Sequence, residues 1–303
     1  MATTESNIAA EARAASSTQP KLQWFNIANL VAYVANAAVT FGVGLTGVLG
    51  PTNAQLSAKY QTLVTPAGYA FSIWGVIFIA QFIWAVAQML PLFRSKPLVV
   101  HGVGFSYLFV CLAQIAWTFL FTLQYITASL VAMIFILIPL INIIASTSRL
   151  THEGILHYFL LKFPFEIHGG WIMAATVVNS NVVLVADGFS TSIQAYVAWA
   201  SLAVLAMFAI YYSRTYVVAI VIAWASFAIA VELKHPTNAI AMNFSAGNIN
   251  WVKRISEILA LSILVSVVIQ LIMSRMRGRQ PGPTIRAPET TTAEPTSYTS
   301  MEH

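Results

Sequence analysis

Read as a string of apolar and polar positions, the chain divides into about eight long apolar runs separated by short polar gaps. The runs lie near residues 27–49, 68–90, 101–122, 126–146, 165–186, 194–212, 215–231 and 255–273. Each is close to the ~20 residues that an α-helix needs to cross the hydrocarbon layer. The runs are apolar all round, which suits a helix in lipid, because a helix satisfies its own backbone hydrogen bonds there. β-Barrel spans would read as ~10-residue alternating stretches instead. The pattern predicts an all-α integral membrane protein of about eight transmembrane helices, with the lipid bilayer as its first partner.

The charges between the runs add an orientation. With eight spans, the N-terminus, the even-numbered loops and the C-terminus share one face. That face holds Arg13, Lys21, Arg94, Lys96, Arg149, Lys162, Arg214, Arg275, Arg277, Arg279 and Arg286, eleven of the 15 basic residues. Lys59, Lys234, Lys253 and Arg254 fall on the other. The positive-inside rule then predicts that both termini are cytoplasmic, in a membrane whose compartment the pattern does not name. The thinnest boundary is Tyr212-Ser-Arg-Thr215, where one arginine separates two runs.

Composition agrees with this reading. Hydrophobic residues make up 58% of the chain and charged residues 8%, against about 25% charged in a soluble domain. The net charge of +5 is dispersed around helix ends, so it is no nucleic-acid signal. Cys111 is the single cysteine and forms no disulfide within the chain. Residues 1–24, rich in Ala, Ser and Thr, and the stretch after Arg275, which turns to Thr, Ser, Pro and Glu, are too polar to bury a core and are predicted to be disordered tails.

Three motifs stand out inside the runs. Thr65-Pro66-Ala67-Gly68-Tyr69-Ala70-Phe71-Ser72-Ile73-Trp74 leads into the second span, with Phe78 one turn on. The third span carries Gln114-Ile-Ala-Trp117, and the fifth opens Phe163-Pro164-Phe165 and continues Gly170-Trp171 to Asn179. In this order and on these helices, they resemble the TspO/translocator protein family, also called tryptophan-rich sensory proteins. That family has a tryptophan eight residues after the proline of its second helix, as Pro66 and Trp74 do. It has a polar residue three before a tryptophan in the third, as Gln114 and Trp117 do, and an asparagine eight after a tryptophan in the fifth, as Trp171 and Asn179 do. The resemblance covers the first five spans. It implies a domain plan of a tail over 1–24, a TspO-like five-helix bundle over 25–190, three additional helices over 191–274, and a basic, then disordered, tail over 275–303. The family's sterol-type motif after the fifth helix has no counterpart, since no Lys or Arg lies between Lys162 and Arg214.

Trp74, Trp117 and Trp171 sit well inside their spans, where an indole N–H needs a partner in the bundle. Flat aromatic walls with a few polar groups suit a planar, largely apolar ligand, and the resemblance implies a tetrapyrrole-like one and a homodimer. The expected pocket lies between spans one, two, three and five, beneath the loop of residues 50–66. Its walls are Phe71, Trp74, Phe78, Trp117 and Trp171, its polar anchors Gln114 and Asn179, and Pro66 and Pro164 shape the helix starts. Asn29 with Asn36, and Gln81 with Gln88, are seven apart and read as hydrogen-bonding glue between helices. Small residues at Gly42, Thr46 and Gly50, and the series Gly170, Ala174 and Val178 at the same spacing, read as close helix contacts.

Glu166 and His168, early in the fifth span, are the ionisable pair best placed for proton coupling. They support an alternative reading as a secondary transporter of a small hydrophobic or amphipathic substrate. Phosphate loops, dinucleotide turns and paired-histidine metal motifs are missing from the sequence. The expectation is therefore a membrane receptor without enzymatic activity, cofactor or metal.

Overall fold

The computed structural model describes residues 20–151 and 153–277, with no strand among them. Helix α1 (Trp24–Val39) runs on into a π-helical turn (Thr40–Leu45), and α2 (Asn53–Lys59) is a short helix in the first loop. A 3-10 turn (Gly68–Ser72) leads into α3 (Ile73–Ala87), and a second π-helical turn (Leu98–Val103) precedes α4 (Ser106–Thr122). Then follow α5 (Ile126–Ser148), α6 (Gly154–Leu161), α7 (Phe163–Ala186), α8 (Thr191–Tyr211), α9 (Tyr216–Glu232), α10 (Asn238–Asn243) and α11 (Ala246–Arg277).

Among the described residues, six helical segments are long and apolar enough to cross a membrane: Trp24–Leu45, Gly68–Ala87, Ile126–Ser148, Phe163–Ala186, Thr191–Tyr211 and Ala246–Met276. Two shorter apolar helices, α4 and α9, have 17 residues each and complete the eight runs read from the sequence. The break predicted around Arg214 is real, since α8 stops at Tyr211 and α9 starts at Tyr216. Large apolar side chains such as Val31, Ile79, Phe135, Ile210 and Leu261 are exposed on the outside. Water would disfavour so much apolar surface, whereas lipid accepts it. This is an α-helical, multi-pass integral membrane protein.

Contacts between loops sort into two faces, as alternate crossings require. On one face Lys96 donates to Glu153 at 2.8 Å, joining the loop after α3 to that after α5. That ammonium holds the Glu153 carboxyl below its ordinary range. On the other face Tyr60 donates to Gln124 at 3.0 Å, Thr127 to Asp187 at 3.2 Å and Gln61 to Glu232 at 2.8 Å. The two tails expected from composition lie mostly in residues 1–19 and 278–303, outside the described residues; Arg275 still belongs to helix α11.

Polar side chains inside the bundle join helices to one another. Asn26 Nδ2 donates to Gln88 Oε1 at 2.8 Å, and Gln88 Nε2 donates back to the Asn26 carbonyl at 2.7 Å, tying α1 to the end of α3. Asn29 Nδ2 donates to the Gly104 carbonyl at 2.8 Å. Asn181 Nδ2 reaches Ser201 Oγ at 2.7 Å and links α7 to α8. Asn36 departs from the expected glue: it accepts from Thr40 in its own helix at 3.3 Å, and its amide nitrogen is buried without a partner.

Helix α7 is the axis of the bundle, packing on α3, α5, α8 and α9. Two adjacent glycines allow this. At Gly169 an added Cβ would lie 2.4 Å from the Ile144 Cδ1 of α5. At Gly170 it would lie 3.2 Å from both the Cα and the carbonyl oxygen of Val218 in α9. Of the other small-residue series, Gly42 has nothing within 4 Å, whereas Gly50, beyond the end of the first span, does sit close to a helix: an added Cβ there would lie 3.2 Å from the Thr122 carbonyl oxygen at the end of α4.

The two glycines differ in what stands opposite. Ile144 Cδ1 is the tip of a side chain that can turn away, whereas the Val218 backbone cannot move without its helix. Gly170→Ala is expected to lose about 1–3 kcal/mol to overpacking, and Gly169→Ala distinctly less. Thermal unfolding of both variants in detergent checks this, and an equal or reversed order would refute the account.

Candidate functional site

Between α3, α4, α5, α7 and α9, under the first loop, lies a cavity of about 730 Å³ of space free of atoms, its open mouth included. The space is narrow. Its aromatic lining is Phe71, Trp74, Trp117, Phe121 and Trp171, and no charged side chain lines it.

The first loop sets one wall. The Thr65 hydroxyl accepts from the Thr62 N–H at 2.8 Å, closing a tight turn just before Pro66. The Ala67 N–H then donates to the Ala228 carbonyl of α9 at 3.0 Å, and the Trp224 indole N–H donates to the Ala70 carbonyl at 3.3 Å. These two bonds hold the start of α3 against α9. Phe71 and Trp74 thereby meet Trp171 edge to face, with centroids 5.8 and 6.3 Å apart.

A single face of α7 supplies most of the rest. Trp171, Ala174, Ala175, Val178, Asn179 and Val182 all line the cavity, and their spacing of three and four residues is that of one helical stripe. Trp117 and Phe121, four apart on α4, stack with centroids 5.0 Å apart and planes 13° from parallel. The Trp117 indole N–H donates to Asn179 Oδ1 at 3.1 Å, and Asn179 Nδ2 reaches Ser129 Oγ of α5 at 3.4 Å. Asn179 is thus a bracket for three helices. Two polar atoms in the lining are buried without partners: the Trp171 indole nitrogen, a donor, and Asn53 Oδ1, an acceptor. Leaving such a group unpaired costs free energy.

A family profile described as TSPO-like protein matches residues 26–273. The chain belongs to the TSPO-like family. The match runs from α1 into α11 and so takes in the last three long helices along with the first five. Neither the curated proteins nor the solved structures gave a match.

Of the residues expected in the pocket, this TSPO-like chain brings Pro66, Phe71, Trp74, Trp117, Trp171 and Asn179 to one cavity. Three others stand elsewhere. Phe78 is packed behind Trp74, at 6.0 Å, and against Phe41, at 5.0 Å. Gln114 is buried in α4, its side-chain oxygen unpartnered, but it does not line the cavity. Pro164 occupies the first turn of α7, where its missing N–H costs no helical bond. The expected contribution of the first span is also corrected, because α5 and α9 line the cavity in its place, through Met133 and through Ala225 and Ile229.

Glu166 and His168 are both buried in α7, yet neither lines the aromatic cavity. His168 pairs with Gln81 at 2.7 Å and stands edge-on to Trp74 at 5.8 Å. Glu166 accepts the Tyr158 hydroxyl at 2.7 Å. That carboxylate, with burial, pushes the Tyr158 hydroxyl well above its usual range, burial being the larger cause.

Sequence reading missed Asn53, Ser57, Phe121, Met133, Ala174, Ala175, Val178, Val182, Ala225 and Ile229 as lining residues. Phe121 and the four residues of α7 carried a local signal, the helical step from Trp117 and from Trp171; the other five did not.

Asn179→Ala removes the acceptor for a buried indole N–H, and so is expected to cost about 1–3 kcal/mol of stability. The same variant should shift the tryptophan emission, as Trp117 loses its bond. Thermal unfolding and emission spectra check it; an unchanged melting temperature and spectrum would show that the bracket is unimportant.

Proposed function

We propose that this TSPO-type protein is a membrane receptor for a flat, largely apolar ligand of the tetrapyrrole kind, which it senses or carries. The observation that supports this most is the narrow cavity bounded by five aromatic rings from α4, α7 and the start of α3. Ring contacts of stacked or edge-on geometry contribute about 0.5–1.5 kcal/mol each beyond the area they bury, and a thin π-system meets several of them at once. The Trp171 N–H and the Asn53 carboxamide oxygen are the two polar handles, and ligand acid groups stay toward the mouth. Since no ionisable side chain lines the space, the reading is one of binding, not catalysis. The arginine-rich face is taken as cytoplasmic, in line with the positive-inside count.

The test titrates the purified, detergent-solubilised protein with protoporphyrin IX and follows the porphyrin's own absorption. Saturable binding is expected. Ala175→Trp, which fills the cavity from α7, should weaken it by about tenfold or more, equivalent to ~1.4 kcal/mol. A Trp74/Trp117/Trp171→Phe variant, checked for fold, should weaken it as well. No saturable binding by the wild-type protein would remove the tetrapyrrole class; binding untouched by Ala175→Trp would move the site elsewhere.

A further inference from the structure

A second cavity lies where α5 and α8 end and α7 and α9 begin, and nothing in the aromatic site accounts for it. It spans about 1410 Å³ with its open mouth included. Arg149, Lys162 and Arg214 all line it, with Glu166 as the one carboxylate. Its formal charge is therefore positive by two, and the hydroxyl of Thr215 adds a donor.

Among the described residues, Lys96 and His157 pair with Glu153, and none of these three cations has a carboxylate partner. Lys162 is the telling one. It is only 8% exposed, yet its ammonium makes no hydrogen bond to another described group and faces the cavity. The Lys162 stem is buried while its ammonium opens into the cavity, where three cations face a single carboxylate among the described residues. That surplus of positive charge favours an external anion.

The surroundings identify that anion's carrier. Ile141 and Ile144 line the same cavity deeper along α5, and Ile210 and Tyr211 are exposed beside it at the end of α8. Basic pockets between helix ends at a membrane face hold anionic head groups, while the chains lie along the helices. We propose that this cavity binds the phosphate of an anionic phospholipid, with Lys162, Arg149 and Arg214 as its ligands. The proposal is independent of the tetrapyrrole reading, since the two cavities share no lining residue.

The full-length protein, delipidated in detergent, is presented with phosphatidylglycerol, phosphatidylcholine or inorganic phosphate, and retained ligand is counted by native mass spectrometry. Phosphatidylglycerol should be retained over phosphatidylcholine by about tenfold in affinity, the scale expected when a few basic groups meet one net-anionic head. Lys162→Gln should abolish that preference without lowering the melting temperature of the lipid-free protein, because its ammonium makes no hydrogen bond or ion pair to another described group. Arg149→Gln/Arg214→Gln should abolish it too and serves if the first variant does not fold, while Lys253→Gln, outside the cavity, should keep it. Equal retention of both lipids, or a preference that survives the cavity variants, overturns the proposal. Inorganic phosphate bound in place of either lipid overturns the lipid as carrier and assigns the site to a soluble phosphate.

Discussion

The approach of α7 to α9 at Gly170 governs the rest of the bundle. With no Cβ there, the α9 backbone at Val218 comes within ordinary contact of α7, and Ala225 and Ile229 follow along the same helix into the cavity wall. The neighbouring Gly169 lets α5 close on another side of α7 through Ile144. A larger side chain at this level would push α9 outward. The start of α3 would then lose the Ala228 carbonyl and the Trp224 indole that hold it. Packing in lipid has no strong hydrophobic drive between helices, so such close approach carries much of the association.

Hydrogen bonds between side chains then set register. Asn26 with Gln88, Gln81 with His168, Asn181 with Ser201 and Trp117 with Asn179 each join helices distant in sequence. In a medium without water, each such pair disfavours sliding or rotation, because a slipped helix strands both groups. Of the buried polar atoms left over, one donor and one acceptor belong to residues of the aromatic cavity. The second cavity is lined instead by three cations and a carboxylate, so the chemistry differs in kind between the two ends.

The helices were legible because apolar runs of span length have one stable form in lipid, and even the single-arginine break before α9 could be read. The tryptophans of the site could be read for a similar reason. Trp74, Trp117 and Trp171 are large, amphipathic and too deep to be interfacial, and the eight-residue step from Trp171 to Asn179 keeps both on a face that can share a groove. Ala225, Ile229 and Met133 were not legible: an apolar residue in an apolar helix looks the same whether it meets lipid, a neighbour or a cavity. Gln114 shows the opposite error. A polar residue one turn from a tryptophan of the cavity looked like part of its lining, but Gln114 is buried elsewhere, and the cavity is lined instead by Asn53, whose place in the first loop depends on how the chain returns over the helices. The short helices α2, α6 and α10 escaped notice too, since six to eight residues give periodicity little to work on.

The ties between the first loop and α9 also bear on the order in which the protein comes into being. Synthesis and membrane insertion proceed from the N-terminus, so Phe71, Trp74, Trp117 and Trp171 are all in the bilayer before Ala225 and Ile229 emerge. Until then the cavity lacks a wall and the Pro66 segment lacks its anchor. The half-made protein therefore presents its most aromatic surface to lipid without a finished cavity, which closes only once α9 has joined the bundle. The cavity is in that sense a late product of biogenesis, completed by a helix far along the chain.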